Sequence, residues 1–178
     1  VDNWIFKNTK ENIITLNIGG ISNISILNQN KNILGFDTGP GMSLSDLYCL
    51  RFLSQNFDMN GNLSSKGDVD TNLVKKWIFN EKFILTNPPK SADKELFGSK
   101  WIEKNINDFN SHENNLANLA YFTSLCISLN IKANNQAKDT TIYVSGGGIN
   151  NKSIMKNLSE LLPEYNILSI AEKGIDPK

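Results

Sequence analysis

Two glycine-bearing turns hold the residues best suited to chemistry in this chain. Each follows an apolar, strand-like stretch. The first turn is Asn17-Ile18-Gly19-Gly20; the second is Asp37-Thr38-Gly39-Pro40-Gly41. A strand that stops at a glycine turn exposes backbone N–H groups, and these bind anions without side-chain charge. Asn17, Gly19 and Gly20 therefore read as a phosphate cradle, with Gly39 and Gly41 as a second one. Asp37 is a lone acid at the mouth of the second turn, and a carboxylate beside bound phosphate is a candidate proton acceptor. Its plain alternative is a turn cap through an Asx bond. A third run, Gly146-Gly147-Gly148, stands between a strand pattern and a helix pattern. It would let a flat ligand lie on bare backbone and aim a helix N-terminus at phosphate. Turns of this kind also occur without a ligand, so no one run decides the function alone.

The elements that must position these turns follow from periodicity. Residues 13–18 and 22–27 alternate as half-buried strands, with Gly19-Gly20 as the hairpin between them. Asn28 to Asn32 reads as a polar turn and Ile33 to Phe36 as a third strand, completing an antiparallel meander. Ser43 to Ser54 reads as a helix with Ser43 as N-cap and Asp46 three residues on, close to a capping box. Helices are expected over Asp70–Phe79, Trp101–Ile106 and Asn114–Asn134, the longest. Thr140 to Val144 is a buried strand, rich in β-branched residues. A helix then runs to Leu162 and a last strand covers Tyr165 to Ser169. A meander, several helices and β-α-β make an α/β domain.

Composition narrows the function classes. At 178 residues the chain fits one domain with a substantial core. Its 18 basic and 18 acidic residues cancel, which argues against recognition of nucleic acid or a membrane surface by bulk charge. No apolar run is long enough to span a bilayer. Cys49 and Cys126 lie far apart in apolar settings and suit a reducing, cytoplasmic compartment better than a disulfide framework. Asp58, Asn60 and Asn62 superficially match a calcium loop, but the glycine and distal glutamate are misplaced. His112 reads as a solvated residue near a helix start. Trp4, Trp77 and Trp101 read as core or interface anchors.

Together these residues resemble a family. The blocks Leu16-Asn17-Ile18-Gly19-Gly20-Ile21-Ser22-Asn23, Gly35-Phe36-Asp37-Thr38-Gly39-Pro40-Gly41, Pro88-Pro89-Lys90-Ser91, and Gly146-Gly147-Gly148 with Asn151 are similar to those of anhydro-N-acetylmuramic acid kinases. The resemblance runs from about Ile14 to the end. It implies one lobe of an actin-like (ribonuclease H-like) sugar kinase. On this reading residues 1–178 are a single C-terminal lobe fragment, without the N-terminal lobe or the C-terminal helix. The implied reaction is ATP-dependent. It hydrolyses the 1,6-anhydro bond of anhydro-N-acetylmuramic acid and phosphorylates O6, within peptidoglycan recycling. The cofactors would be ATP and the Mg²⁺ it carries, with no direct protein ligand to the metal.

The resemblance puts the general base at Asp37 and ATP contacts at Asn17, Gly19, Gly20, Gly39, Gly41, Gly146, Gly147, Gly148 and Asn151. It suggests sugar contacts at Lys90 and Ser91, the missing lobe as a partner, and a homodimer as a form the family takes. Met42 stands where the family usually has asparagine, and Ser145 where it commonly has cysteine. Tyr121 falls near a frequent helix glutamate. The isolated chain is expected to lack kinase activity. Two other readings compete. One is a different amino-sugar kinase of the actin-like group, which Asn17 disfavours because those usually carry aspartate there. The other is a non-catalytic nucleotide-binding or assembly module.

Overall fold

A computed structural model describes Phe6 and residues 11–27, 33–93, 95–106 and 110–177. The expected polar turn at 28–32 and the anchor Trp4 lie outside the described residues. Five strands form one sheet in the order β3-β2-β1-β4-β5. They are β1 (Asn12–Ile18), β2 (Ile21–Leu27), β3 (Ile33–Pro40), β4 (Thr140–Ser145) and β5 (Asn166–Ser169). The first three pair antiparallel, as the meander pattern predicts, while β4 and β5 run parallel to β1. The central strand β1 is covered on both faces. Ile14, Leu16 and Ile18 enter the core under the helices, and Ile13 packs with Phe6, Tyr143 and Ile170 behind the sheet.

The helices are α1 (Ser43–Leu53), α2 (Thr71–Asn80), α3 (Lys82–Leu85), α4 (Ser99–Asn105), α5 (His112–Asn134) and α6 (Lys152–Leu161). α5 joins the two halves of the molecule. Ala120, Ile127 and Ile131 face the sheet core, while Leu116, Leu119, Phe122 and Cys126 face a second core built with α1 to α4. Trp77 and Trp101 anchor that second core; Trp101 stacks on Phe122 at 5.2 Å.

Two expectations need correcting. β3 continues to Pro40, so Asp37 lies within an edge strand and not at the mouth of a turn. Paired hydroxyls allow this extension. The β2–β3 register shifts between Ser22 and Asn23, and there the Ser22 and Thr38 hydroxyls hydrogen-bond at 2.7 Å, both fully buried. Proline is tolerated at the strand's last position because an edge strand needs no donor on its outer side. The second correction concerns α1. Its N-cap is Met42, in helical geometry and without a side-chain cap, so Ser43 is already inside the helix. The Met42 and Ser43 N–H groups instead donate to the Gly19 and Gly20 carbonyls, at 2.8 and 3.1 Å. The hairpin therefore supplies the acceptors for this helix start, and the capping box is not formed.

Candidate active site

The sheet register brings the polar residues of separate strands together. Asn17 on β1 faces Asn23 on β2 and Ser145 on β4, and Asn23 in turn faces Asp37 on β3. Directly opposed residues point to one side of a sheet. Asp37, Asn23, Asn17 and Ser145 thus form one row across four strands, at the end of β1 that leads into Gly19-Gly20. Asn17 is exposed, and the other three are half-buried. Sequence reasoning singled out Asp37 and Asn17 but not Asn23. The hairpin register, counted back from Gly19-Gly20, was the signal that could have found it.

Asp37 is held from one side. Its Oδ2 accepts from the Ser91 hydroxyl at 3.0 Å and from the Ala92 N–H at 2.8 Å. The Asp37 N–H donates to the Lys90 carbonyl. The loop after Pro88-Pro89 thus clamps both the strand and its carboxylate. Among the described residues the other carboxylate oxygen has no partner. Asp37 borders an open cleft of about 330 Å³, which Asn23, Gly35, Lys90 and Ser91 also line. Ser91 acts on the acid it adjoins. The Lys90 ammonium donates to the carbonyls of Phe83 and Ile84, at 3.0 and 2.8 Å, and lies over the Phe83 ring. Burial lowers its pKa. Lys90 therefore fastens its loop to α3, which leaves it less to offer a sugar.

The glycines divide by what their backbone does. Among the described residues the N–H groups of Gly19 and Gly20 have no partner, and Gly20 is exposed, so both remain free for an anion. Gly39 and Gly41 do not form a second cradle. Gly39 is packed against Ile84 and Cys126, and the Gly41 N–H is spent on the Gly20 carbonyl. Gly41 is glycine because a Cβ there would lie 2.1 Å from the Gly19 oxygen. Gly146 has φ +85° and sits over Asn17 and Ile18, where a side chain would collide. Its N–H donates to the Pro177 carbonyl. Gly148 packs on Ile18, which leaves Gly147 as the exposed member of the run. α6 does not follow the glycines directly. A 3-10 turn over Gly147–Asn150 intervenes, and Asn151 caps α6 by accepting from the Ser153 and Ile154 N–H groups. Asn151 thus fills two of the N–H groups at this helix N-terminus.

A larger cavity of about 580 Å³ adjoins this run. Its lining includes Met42, Asp46, Phe57, Met59, Gly147 and Asn151. Burial raises the Asp46 carboxyl to about 6. Asp58 also borders it, but both of its oxygens are filled by the Leu63 and Ser64 N–H groups and the Ser64 hydroxyl. The Asp58 carboxylate thus closes its own loop. Among the described residues no three His, Cys, Asp or Glu side chains are grouped to bind a metal. His112 pairs with Tyr48 at 2.8 Å at the start of α5. Burial pushes the Cys49 thiol to about 12, which leaves it inert. No described helix is long and apolar enough to cross a membrane.

The sequence model of the family described as anhydro-N-acetylmuramic acid kinase matches residues 1–178. The chain belongs to this family. Relatives of that name include one from Pseudomonas fluorescens, 34% identical over 97% of this chain, and one from Vibrio parahaemolyticus, 32% identical over 97%. The match covers 48% and 46% of those relatives, so the chain spans about half their length. Among solved structures, it is similar to an activator of 2-hydroxyisocaproyl-CoA dehydratase from Clostridium difficile with bound ADPNP. The TM-score is 0.53 and the identity 14%, over 93% of this chain and 56% of that one. Component A of (R)-2-hydroxyglutaryl-CoA dehydratase from Acidaminococcus fermentans gives 0.53 and 13%, over 97% and 61%. These likenesses show that the α/β fold of this chain is one that those two proteins share.

Proposed function

We propose that the chain is the C-terminal, nucleotide-holding lobe of an ATP-dependent kinase that opens anhydro-N-acetylmuramic acid and phosphorylates it at O6. The observation that carries this reading is the Asp37 carboxylate, clamped through one oxygen beside a cleft, in a single row with Asn17 beside the free hairpin amides.

Water is a poor nucleophile at neutral pH. As its oxygen bonds to C1 of the sugar, Asp37 takes its proton through the unclamped oxygen. The C1–O6 bond breaks, and O6 is freed to take the γ-phosphoryl group as ADP leaves. The Gly19 and Gly20 N–H groups offset charge on the phosphate oxygens. Asn17 orients this loop. The carboxamides of Asn17 and Asn23 suit a hard cation that keeps most of its waters, and Mg²⁺ bound with ATP would neutralise charge on the transferred group. The protein would work in the cytoplasm, in peptidoglycan recycling, with its N-terminal lobe supplying the rest of the sugar site.

The test is Asp37→Asn in the full-length protein. Turnover should be lost while nucleotide binding is kept. Turnover near that of the unaltered protein would refute the assignment and favour a non-catalytic nucleotide-binding module. Residues 1–178 alone should release no ADP in a coupled assay.

A further inference from the structure

The cavity of about 580 Å³ gathers three kinds of lining group. Met42 and Gly147 line it where the chain is tied to the Gly19-Gly20 hairpin: the Met42 and Ser43 N–H groups donate to the hairpin carbonyls, and Gly146 and Gly148 rest on Asn17 and Ile18. Asp46 stands one helical turn further along α1, its N–H bonded to the Met42 carbonyl at 2.9 Å. One turn advances about 5.4 Å, comparable to the reach from a 5′-phosphate to the far edge of its ribose. Phe57 and Met59 add apolar wall and are 46% and 56% exposed. Bare amides, a carboxylate and an apolar surface are the complements of phosphate, ribose and base.

Asp46 is also short of donors. Among the described residues no hydrogen bond reaches its carboxylate, and Oδ1 is shut off from water. Asp58, the other acid on this cavity, has three donors. A carboxylate only accepts, so a ligand suited to Asp46 must bring donors. A ribose brings two hydroxyls, from which the unburied oxygen, Oδ2, can accept. We infer that Asp46 is a specificity-determining residue that accepts hydrogen bonds from the ribose hydroxyls of the bound nucleotide. This rests on the nucleotide reading above and adds to it a discrimination between ribonucleotides and deoxyribonucleotides.

The experiment is calorimetric titration of the full-length protein with ATP, 2′-deoxy-ATP, 3′-deoxy-ATP and inosine triphosphate. It is repeated on Asp46→Asn and Asp46→Ala, with circular dichroism to confirm folding. A hydrogen bond to a charged group is worth enough to make ATP roughly 10-fold tighter than the deoxy analogues. In Asp46→Ala that ratio should collapse to within about 2-fold, with Asp46→Asn between the two. Equal binding of ATP and both deoxy analogues by the unaltered protein overturns the inference and leaves the nucleotide reading standing. So does a ratio that survives in either variant. If the substitutions instead alter the ATP-to-inosine ratio, the carboxylate reads the base and the ribose assignment is wrong. Failure of the unaltered protein to bind ATP sinks the nucleotide reading itself.

Discussion

Asp37 and Asp46 lie close together in the chain, yet the fold provisions them in opposite ways. Asp37 sits on an edge strand, receives an O–H and an N–H on one oxygen, and borders an open cleft. Asp46 sits in a helix, receives no hydrogen bond from the described residues, and is partly withdrawn from water. The difference teaches that one fold can place two nearby carboxylates in opposite hydrogen-bonding settings. Donors fix the orientation of the Asp37 carboxylate. An acid without donors is costly for the empty protein, and that cost is relieved when a ligand supplies them.

The comparison can be broken at several points. The largest effect is expected from Asp37→Asn, which should lower kcat by roughly 10²–10⁴-fold in the full-length protein, measured by ADP release. Gly41→Ala strikes the contact between the two regions, since the new Cβ must displace the hairpin carbonyl. It should cost about 1–3 kcal/mol in urea unfolding, and an unchanged midpoint would show that the hairpin is free to shift.

Ser91→Ala removes one of the two donors on Asp37. It should lower kcat by about 10-fold with KM for the sugar little changed, and Ser91→Thr should restore it. A rise in KM alone would make Ser91 a sugar contact.

The smallest effect concerns pH. The Asp46 carboxyl is raised from 3.8 to about 6 by burial. Between these values the folded chain holds a proton that the unfolded chain has released, so this group's contribution to stability falls as pH rises from about 4 to about 6. Asp46→Asn should therefore gain thermal stability over the unaltered protein above pH 6 and show no gain below pH 4. A pH-independent difference in midpoint would disprove it.

Much of the architecture was legible from pattern. The meander, the long α5 and the strand before Gly146 are written in alternation, helical spacing and β-branched content, which depend only on near neighbours. The short range of such signals also explains the errors. β3 read as ending at Phe36 because glycine and proline follow, yet the buried Ser22–Thr38 hydroxyl pair carries the strand on to Pro40. Ser43 reads as an N-cap until the carbonyls of Gly19 and Gly20, distant in sequence, take the N–H groups at this helix start.

By itself the sequence determined the family and the α/β fold, and it pointed to Asp37 as a candidate acid, because each rests on residue types at fixed spacing along the chain. Only the tertiary structure decided which groups those residues meet. It paired Asp37 with Asn23 and Ser91, turned Lys90 to carbonyls, spent Gly41 on the hairpin, and left Asp46 without a donor among the described residues. Register and packing between remote segments set hydrogen-bond partners, and no local pattern encodes them.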